Sequence, residues 1–282
     1  MYVKALRLTT DSDETLFLKN LKRTCYNGVY PYKIFTMKYL ERVEFSPITI
    51  FYGGNGSGKT TLLNILAEIS GVTRHSPFSS GAFFSDYVSH CRLEADFIPR
   101  NSQILTSDDV SDYLLSIRSL NNGIDARREE LFQEYLDRKY SDSRLKSLAD
   151  YDEWKENLQA KKITQSRFVK ERLMNNVDML SNGETAMRYY LERITENALY
   201  LIDEPENSLS AALQRELADY ISDSARFYGC QFVIATHSPF FLALHGARIY
   251  NLDTCPVRES SWTQLENVRA FYDFFKAHES EF

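Results

Sequence analysis

Cysteine is scarce and scattered in this sequence. Cys25, Cys91, Cys230 and Cys255 stand far apart among 282 residues, with no Cys-x-x-Cys pair. That spacing fits neither a zinc site nor a disulfide framework, so a reducing cytoplasm is the expected compartment. Long apolar runs are absent as well. No stretch approaches the roughly 18 residues that a membrane-spanning helix needs, so no membrane insertion is expected. The opening MYVKALRLTT alternates like a strand and lacks the apolar core of a secretory signal. Basic excess is missing: 33 Lys and Arg stand against 39 Asp and Glu, a formal net charge of −6. A surface-wide affinity for nucleic acid is therefore not expected, although a local basic patch remains open. After residue 240 no second acidic cluster has metal-site spacing, which speaks against a self-contained nuclease. What remains is 43% hydrophobic and 26% charged, an ordinary globular composition. The length suits one large α/β domain or two smaller ones.

The most informative stretch is residues 48–66, ITIFYGGNGSGKTTLLNIL. An apolar run leads into a glycine-rich loop, and an apolar-periodic segment follows. The order is strand, loop, helix, and GGNGSGKT fills the phosphate-loop pattern G-x-x-x-x-G-K-[ST]. In that context the N–H groups of Gly53, Gly54, Asn55, Gly56, Ser57 and Gly58 converge on phosphate oxygens at a helix N-terminus. Lys59 is placed to reach the β- and γ-phosphates, Thr60 to hold Mg²⁺, and Thr61 to line the same helix start.

Around this stretch the chain reads as α/β. Residues 2–9 alternate as a first strand, with a second expected over Ile34–Leu40 and a third over Pro47–Tyr52. Two strands before the phosphate-loop strand suggest an antiparallel edge beside a parallel core. Residues 11–33 are polar and aromatic, with a turn signal at Asn27-Gly28 and a break at Pro31. A helix is expected from about Lys59 to Ile69, ending near Gly71. Residues 72–90 read as loop with short strands, and residues 92–98 as a strand closed by Pro99. From Ser107 to about Arg172 the sequence turns charged and helix-favouring and nearly loses glycine, which reads as a helical insertion. The expected division is 1–106, 107–175 and 176–282. The last third alternates again: strands at Ala198–Ile202, Gln231–Thr236 and Ala247–Asp253, helices at Leu209–Phe227 and Val268–Ala277. Strands separated by helices imply right-handed crossovers and a parallel sheet with its ligand at the carboxyl ends. Gly53, Asp203 and His237 then share one edge.

Two further stretches carry chemistry. LYLIDEPEN ends a buried strand in Asp203 and Glu204. Asp203 suits the metal shell, and Glu204 suits orientation or deprotonation of an attacking water. Neighbouring strand residues point to opposite faces, so both can serve one site only if the chain turns there. LSNGE, residues 180–184, places Ser181, Asn182 and Gly183 before a helix, a pattern that suits an anion-binding helix start. His237 ends a strand in ATHSPF, where it can donate to a terminal phosphate. The segment Lys155–Arg172 carries six basic residues against two acidic ones, which suits either a nucleic-acid contact or a solvated helix face.

GGNGSGKTT, LSNGE, LIDEPEN and ATHS, in that order, resemble the motifs of the ATP-binding-cassette ATPases: Walker A, signature, Walker B and H-loop. The resemblance covers roughly residues 1–100 and 175–282. LSNGE in place of LSGGQ, and DEPEN followed by SLS, resemble the stand-alone bacterial "AAA family ATPase" group, with relatives of RecF, SMC and OLD type. The resemblance implies an Mg-dependent ATP hydrolase working as a head-to-tail homodimer with two ATP molecules between the copies. Walker A of one copy would face Ser181, Asn182 and Gly183 of the other. Lys59, Glu204 and His237 are the implied catalytic residues, and Thr60 and Asp203 the implied metal ligands. The family's glutamine on the metal is identified as Gln103. An adenine-stacking aromatic is expected from Tyr26, Tyr30, Tyr32 or Phe35. Ser210 stands where the family's D-loop carries an Asp. The implied role is a switch acting on DNA or a partner effector protein, in genome maintenance, antiphage defence or a toxin–antitoxin pair. The alternative is the nucleotide-binding subunit of a membrane transporter.

Overall fold

The computed structural model describes residues 1–21, 28–141, 151–176 and 181–282. The chain divides into two compact units, Met1–Ser111 with Asn182–Phe282, and Asp112–Ser181. Cys25, Tyr26, the Asn27 turn position and Leu180 lie outside the described residues.

The first unit holds two sheets. Strand β1 (Val3–Arg7) lies between β2 (Arg42–Glu44) and β4 (Arg92–Ala95), both antiparallel to it. The larger sheet has six strands in the order β5 (Gln103–Thr106), β6 (Leu199–Asp203), β7 (Gln231–Ala235), β3 (Ile48–Tyr52), β8 (Arg248–Asn251), β9 (Arg258–Glu259). The first five are parallel, and β9 runs antiparallel at the edge. The expected parallel core and antiparallel strands are both present. Strands β3 and β7 are buried along their whole length, which is why they read as continuous apolar runs rather than alternating ones.

Helix α2 (Lys59–Ser70) runs between the sheets, against β4 on one side and β6 and β7 on the other. Its Leu62, Leu63, Ile65 and Leu66 are fully buried. Gly71, in the left-handed region at φ 66°, closes it by donating to the Ala67 carbonyl. Gln231 joins the two sheets with a buried side-chain amide. Its Oε1 accepts from the N–H groups of Tyr2 (2.7 Å) and Val3 (2.9 Å), and its Nε2 donates to the carbonyls of Val3 (2.8 Å) and Ser46 (3.2 Å).

One element was not anticipated, and two local expectations are corrected. The polar start of the 11–33 segment forms helix α1 (Asp11–Asn20), capped by Thr10 and carrying Asp11, Asp13 and Glu14 in its first turn. The strand expected over Ile34–Leu40 is a turn with a short 3₁₀ segment at Thr36–Lys38. The buried Glu14 carboxylate accepts from the Lys33 N–H (2.8 Å) and the Thr36 hydroxyl (2.9 Å), and Tyr39 sits at φ 53°, so this stretch cannot extend. Within 72–90, Phe84–His90 forms helix α3, because Phe83, Phe84 and Tyr87 recur on one face and bury there.

In chain order the helices α4 (Ser107–Tyr140), α5 (Tyr151–Lys162) and α6 (Gln165–Lys170) come next. Within the second unit Leu131, Tyr135, Ala160, Phe168 and Val169 form its own apolar cluster. Several of the basic residues noted above are used internally here. Lys161 donates to the Ser141 carbonyl, Arg167 pairs with Glu171 at 2.8 Å, and Arg172 stacks over Phe168 at 3.9 Å. The chain then continues through α7 (Asn182–Arg193), α8 (Ala211–Phe227), the short α9 (Pro239–Leu242) and α10 (Glu266–Ala277). Among the described residues no helix is long and apolar enough to cross a membrane.

Gln231→Leu is expected to leave the Tyr2 and Val3 N–H groups without partners and to lower stability by about 2–4 kcal/mol. Urea denaturation measures this, and an unchanged midpoint would mean the sheets do not depend on that amide.

Candidate functional site

The parallel register puts three strand ends side by side. Ala235, the last residue of β7, is level with Asp203 of β6 and with Phe51 of β3. Beyond these residues the chain leaves the sheet as the glycine-rich loop, the Glu204 turn and the His237 turn.

The glycine loop is tightly wound. A Cβ on Gly53 would meet the Ser57 side chain at 2.5 Å, and Gly58 sits at φ 101° directly before α2. Lys59 is buried, and its ammonium donates to the carbonyls of Gly53 (2.8 Å) and Gly54 (3.1 Å). It also lies 3.4 Å from Glu204 Oε1. The Ser57 hydroxyl is buried with no hydrogen-bond partner among the described residues. An unsatisfied donor inside a loop of this form fits an anion.

Glu204 has φ 48° and ψ 57°, the left-handed region, where a non-glycine residue is under strain. Its N–H still donates to the Ala235 carbonyl at 2.9 Å, so the ladder continues one residue past β6 while the side chain swings round. This turn brings Asp203 and Glu204 to one side. Asp203 Oδ1 accepts from the Thr60 hydroxyl at 3.2 Å, and Glu204 Oε2 accepts from Asn207 Nδ2 at 3.1 Å. Burial pushes the Asp203 carboxyl up to about 6, with Glu204 adding repulsion while the Thr60 hydroxyl and the Lys59 charge pull down. Two oxygen donors with a buried carboxylate short of positive charge suit a hard divalent cation that takes its remaining ligands from phosphate and water.

His237 is held by a residue that the motif reading passed over. Glu206, the third acid of DEPEN, accepts from the Thr236 hydroxyl (2.8 Å) and the His237 N–H (2.8 Å), and lies 3.0 Å from His237 Nδ1. With Nδ1 engaged, Nε2 is the ring atom left for a ligand. Asn267, in the first turn of α10, donates to the His237 carbonyl at 2.7 Å. The signal for Glu206 was its place two residues past Glu204 on a tight turn, which only the 3₁₀ geometry of Pro205–Ser208 makes legible.

Some expected residues are elsewhere. Gln103 opens β5, at the amino end of the sheet, and its Nε2 donates to the Arg193 carbonyl at 2.8 Å. Three strand residues, roughly 10 Å, separate it from the carboxyl edge, so the metal assignment to Gln103 is corrected. The β5 residue level with Asp203 is Thr106. Thr106 lines a cleft of about 500 Å³ with Thr60, Asn64, Arg74, Ser107 and Asp203. Tyr32 and Phe35 are also corrected as adenine platforms. Phe35 is fully buried, and Tyr32 is buried and stacked on Phe17 at 4.5 Å. Among the described candidates, Tyr30 borders the loop cleft, and its hydroxyl is 3.0 Å from Thr61 Oγ1. Asn182 and Gly183 open α7, where a Cβ on Gly183 would meet Leu213 at 2.9 Å, and the preceding Ser181 is exposed. Ser210 caps α8 by accepting from the Leu213 N–H.

Residues 42–207 match the family model described as ABC transporter, which spans more than half of the chain. Residues 180–243 match a second, described as AAA domain, putative AbiEii toxin, Type IV TA system. No curated protein matches the chain. Among solved structures, the SMC head domain from Thermotoga maritima aligns with 10% identity and a TM-score of 0.40, covering 93% of this chain and 99% of that one. A Pyrococcus furiosus Smc head domain bound to the C-terminal domain of ScpA aligns with 15% identity and a TM-score of 0.39, covering 83% and 95%. A putative metal-chelate type ABC transporter aligns with 19% identity and a TM-score of 0.40, covering 96% and 89%.

The raised Asp203 carboxyl has a stability consequence. The folded state holds that proton more tightly than the unfolded chain, so stability from this group falls as pH rises from about 4 to about 6, by about 3 kcal/mol at most. Asp203→Asn is therefore expected to stabilise the nucleotide-free protein, with a gain that grows over that window and is constant above it. Denaturant titrations from pH 4 to pH 8 measure the gap, and a gap independent of pH would contradict the assignment.

Proposed function

The chain belongs to the ATP-binding-cassette superfamily and is an ATPase, and on that premise we propose that ATP closes two copies head to tail and that hydrolysis reopens them. The switch acts, in this reading, on DNA or on a partner effector protein in the cytoplasm. The observation that carries it is the meeting of Lys59, Thr60, Asp203, Glu204 and His237 at neighbouring strand ends.

The phosphate loop and the start of α2 bind the phosphates, with Lys59 moving its charge from the loop carbonyls toward the β- and γ-phosphates. Thr60 and Asp203 would hold Mg²⁺, which would supply positive charge against the phosphates. Glu204, 3.4 Å from Lys59, orients the attacking water and accepts its proton. His237, kept in place by Glu206, donates from Nε2 to the γ-phosphate and registers its presence. Gly54, Asn55, Gly56 and Thr60 are exposed, while Ser57 and Lys59 are buried. One chain therefore covers the phosphates from one side. A second anion-binding helix start is needed opposite to exclude water, and Ser181, Asn182 and Gly183 of the second copy supply it. Residues 107–175 are read as a helical insertion between core halves 1–106 and 176–282. The match of 180–243 to an AbiEii-type description supports a partner-effector setting.

Glu204→Gln is expected to retain ATP, lose turnover by about 100-fold or more, and accumulate a dimer in Mg-ATP. Light scattering after size exclusion tests this, and a mass unchanged by ATP at monomer value would refute the homodimer. Lys59→Ala is expected to weaken ATP binding severely in the same preparation.

A further inference from the structure

The segment after β8 is tied to the phosphate loop at three points, directly or through Lys38, by residues outside the phosphate-binding pattern. The Asp253 carboxylate accepts from the Gly54 N–H with both oxygens, at 3.0 and 2.9 Å. That N–H belongs to the Gly53–Gly54 peptide, whose carbonyl is the 2.8 Å acceptor of Lys59. One peptide unit is thus gripped at both ends, by a carboxylate on its N–H and an ammonium on its C=O. Its orientation fixes where Lys59 rests.

The second point is Lys38. Its ammonium donates to the Ser57 carbonyl at 2.6 Å and to the Leu252 carbonyl at 2.7 Å, tying the far side of the loop to the residue before Asp253. The third is the Leu252 N–H, which donates to the Tyr52 carbonyl at the loop's entrance (2.8 Å). The segment is itself held. Asp253 N–H donates to Asn251 Oδ1 (3.0 Å), and Val257 N–H donates to the Lys38 carbonyl (3.0 Å). Lys38, Ser57, Gly54, Asp253 and Leu252 close a ring of contacts around the loop.

We propose that Asp253 and Lys38 are positioning residues of the nucleotide site, a brace that holds the phosphate loop in its anion-binding form before ATP arrives. Preformed N–H groups spare the nucleotide the cost of ordering the loop, so the brace acts on affinity. Charge-assisted bonds at Gly54 and Ser57 are strong enough for that part. The proposal rests on the phosphate-loop reading above.

The test measures affinity for a fluorescent ATP analogue with Mg²⁺, steady-state KM and kcat, and nucleotide-free melting, all on the full chain. Asp253→Ala is expected to weaken nucleotide binding about tenfold, as for one lost charged hydrogen bond, with kcat at saturation within about twofold. Asp253→Asn restores most of the affinity, because its amide oxygen still accepts from Gly54. Lys38→Met weakens binding similarly, and the double variant loses less than the two single losses combined. Unchanged or tighter binding in Asp253→Ala would overturn the proposal. Tighter binding would identify Asp253 as a carboxylate that ATP must displace. An Asn variant no better than Ala would overturn it too. Lys59→Ala in parallel separates the two failures: if that variant binds normally, the phosphate-loop reading itself has failed.

Discussion

The bond from Glu204 N–H to the Ala235 carbonyl, made at a left-handed residue, is the constraint on which the site depends. It keeps β6 in register with β7 one residue beyond the regular strand, and at the same residue the chain reverses its side-chain direction. Without the bond the turn would be free, and without the turn Asp203 and Glu204 would point to opposite faces. The strain at φ 48° is tolerated because its surroundings over-determine it: Pro205 follows, Asn207 bonds both the Glu204 carboxylate and carbonyl, and Glu206 ties the next turn to Thr236 and His237.

The same parallel sheet explains a conflict between stability and chemistry. Asp203 is buried at the end of β6 with its charge only partly offset, so the nucleotide-free protein carries a carboxyl that resists ionisation. A cation held there, as proposed, would relieve that cost, and the gain would appear as affinity rather than as stability of the free chain. Lys59 shows the complementary arrangement. Its ammonium is satisfied by loop carbonyls and faces Glu204, so it is ready to turn toward phosphate without first losing solvent.

Much of the site was legible in the sequence because its chemistry is local. A strand, four glycines, Lys59 and Thr60 define one loop wherever they fold, and strands separated by helices imply one shared carboxyl edge. What was not legible depends on tertiary partners. Ile34–Leu40 has strand-like composition, but Glu14 and the Ser57 and Leu252 carbonyls capture it as a turn. Gln103 follows the strand read over 92–98, yet strand direction puts it at the opposite edge from Asp203. Tyr32 and Phe35 offered rings, but the core took both. Glu206 and Asp253 had ordinary turn surroundings, and only register and chain crossing bring them to His237 and Gly54.

As proposed, each chain supplies half of a hydrolytic site. Phosphate release per protomer, measured across protein concentrations in saturating Mg-ATP, tests it most directly. Two half-sites predict a specific activity that climbs with concentration and levels off once the dimer is populated. A specific activity that stays constant down to concentrations where light scattering reports only monomer would contradict the account.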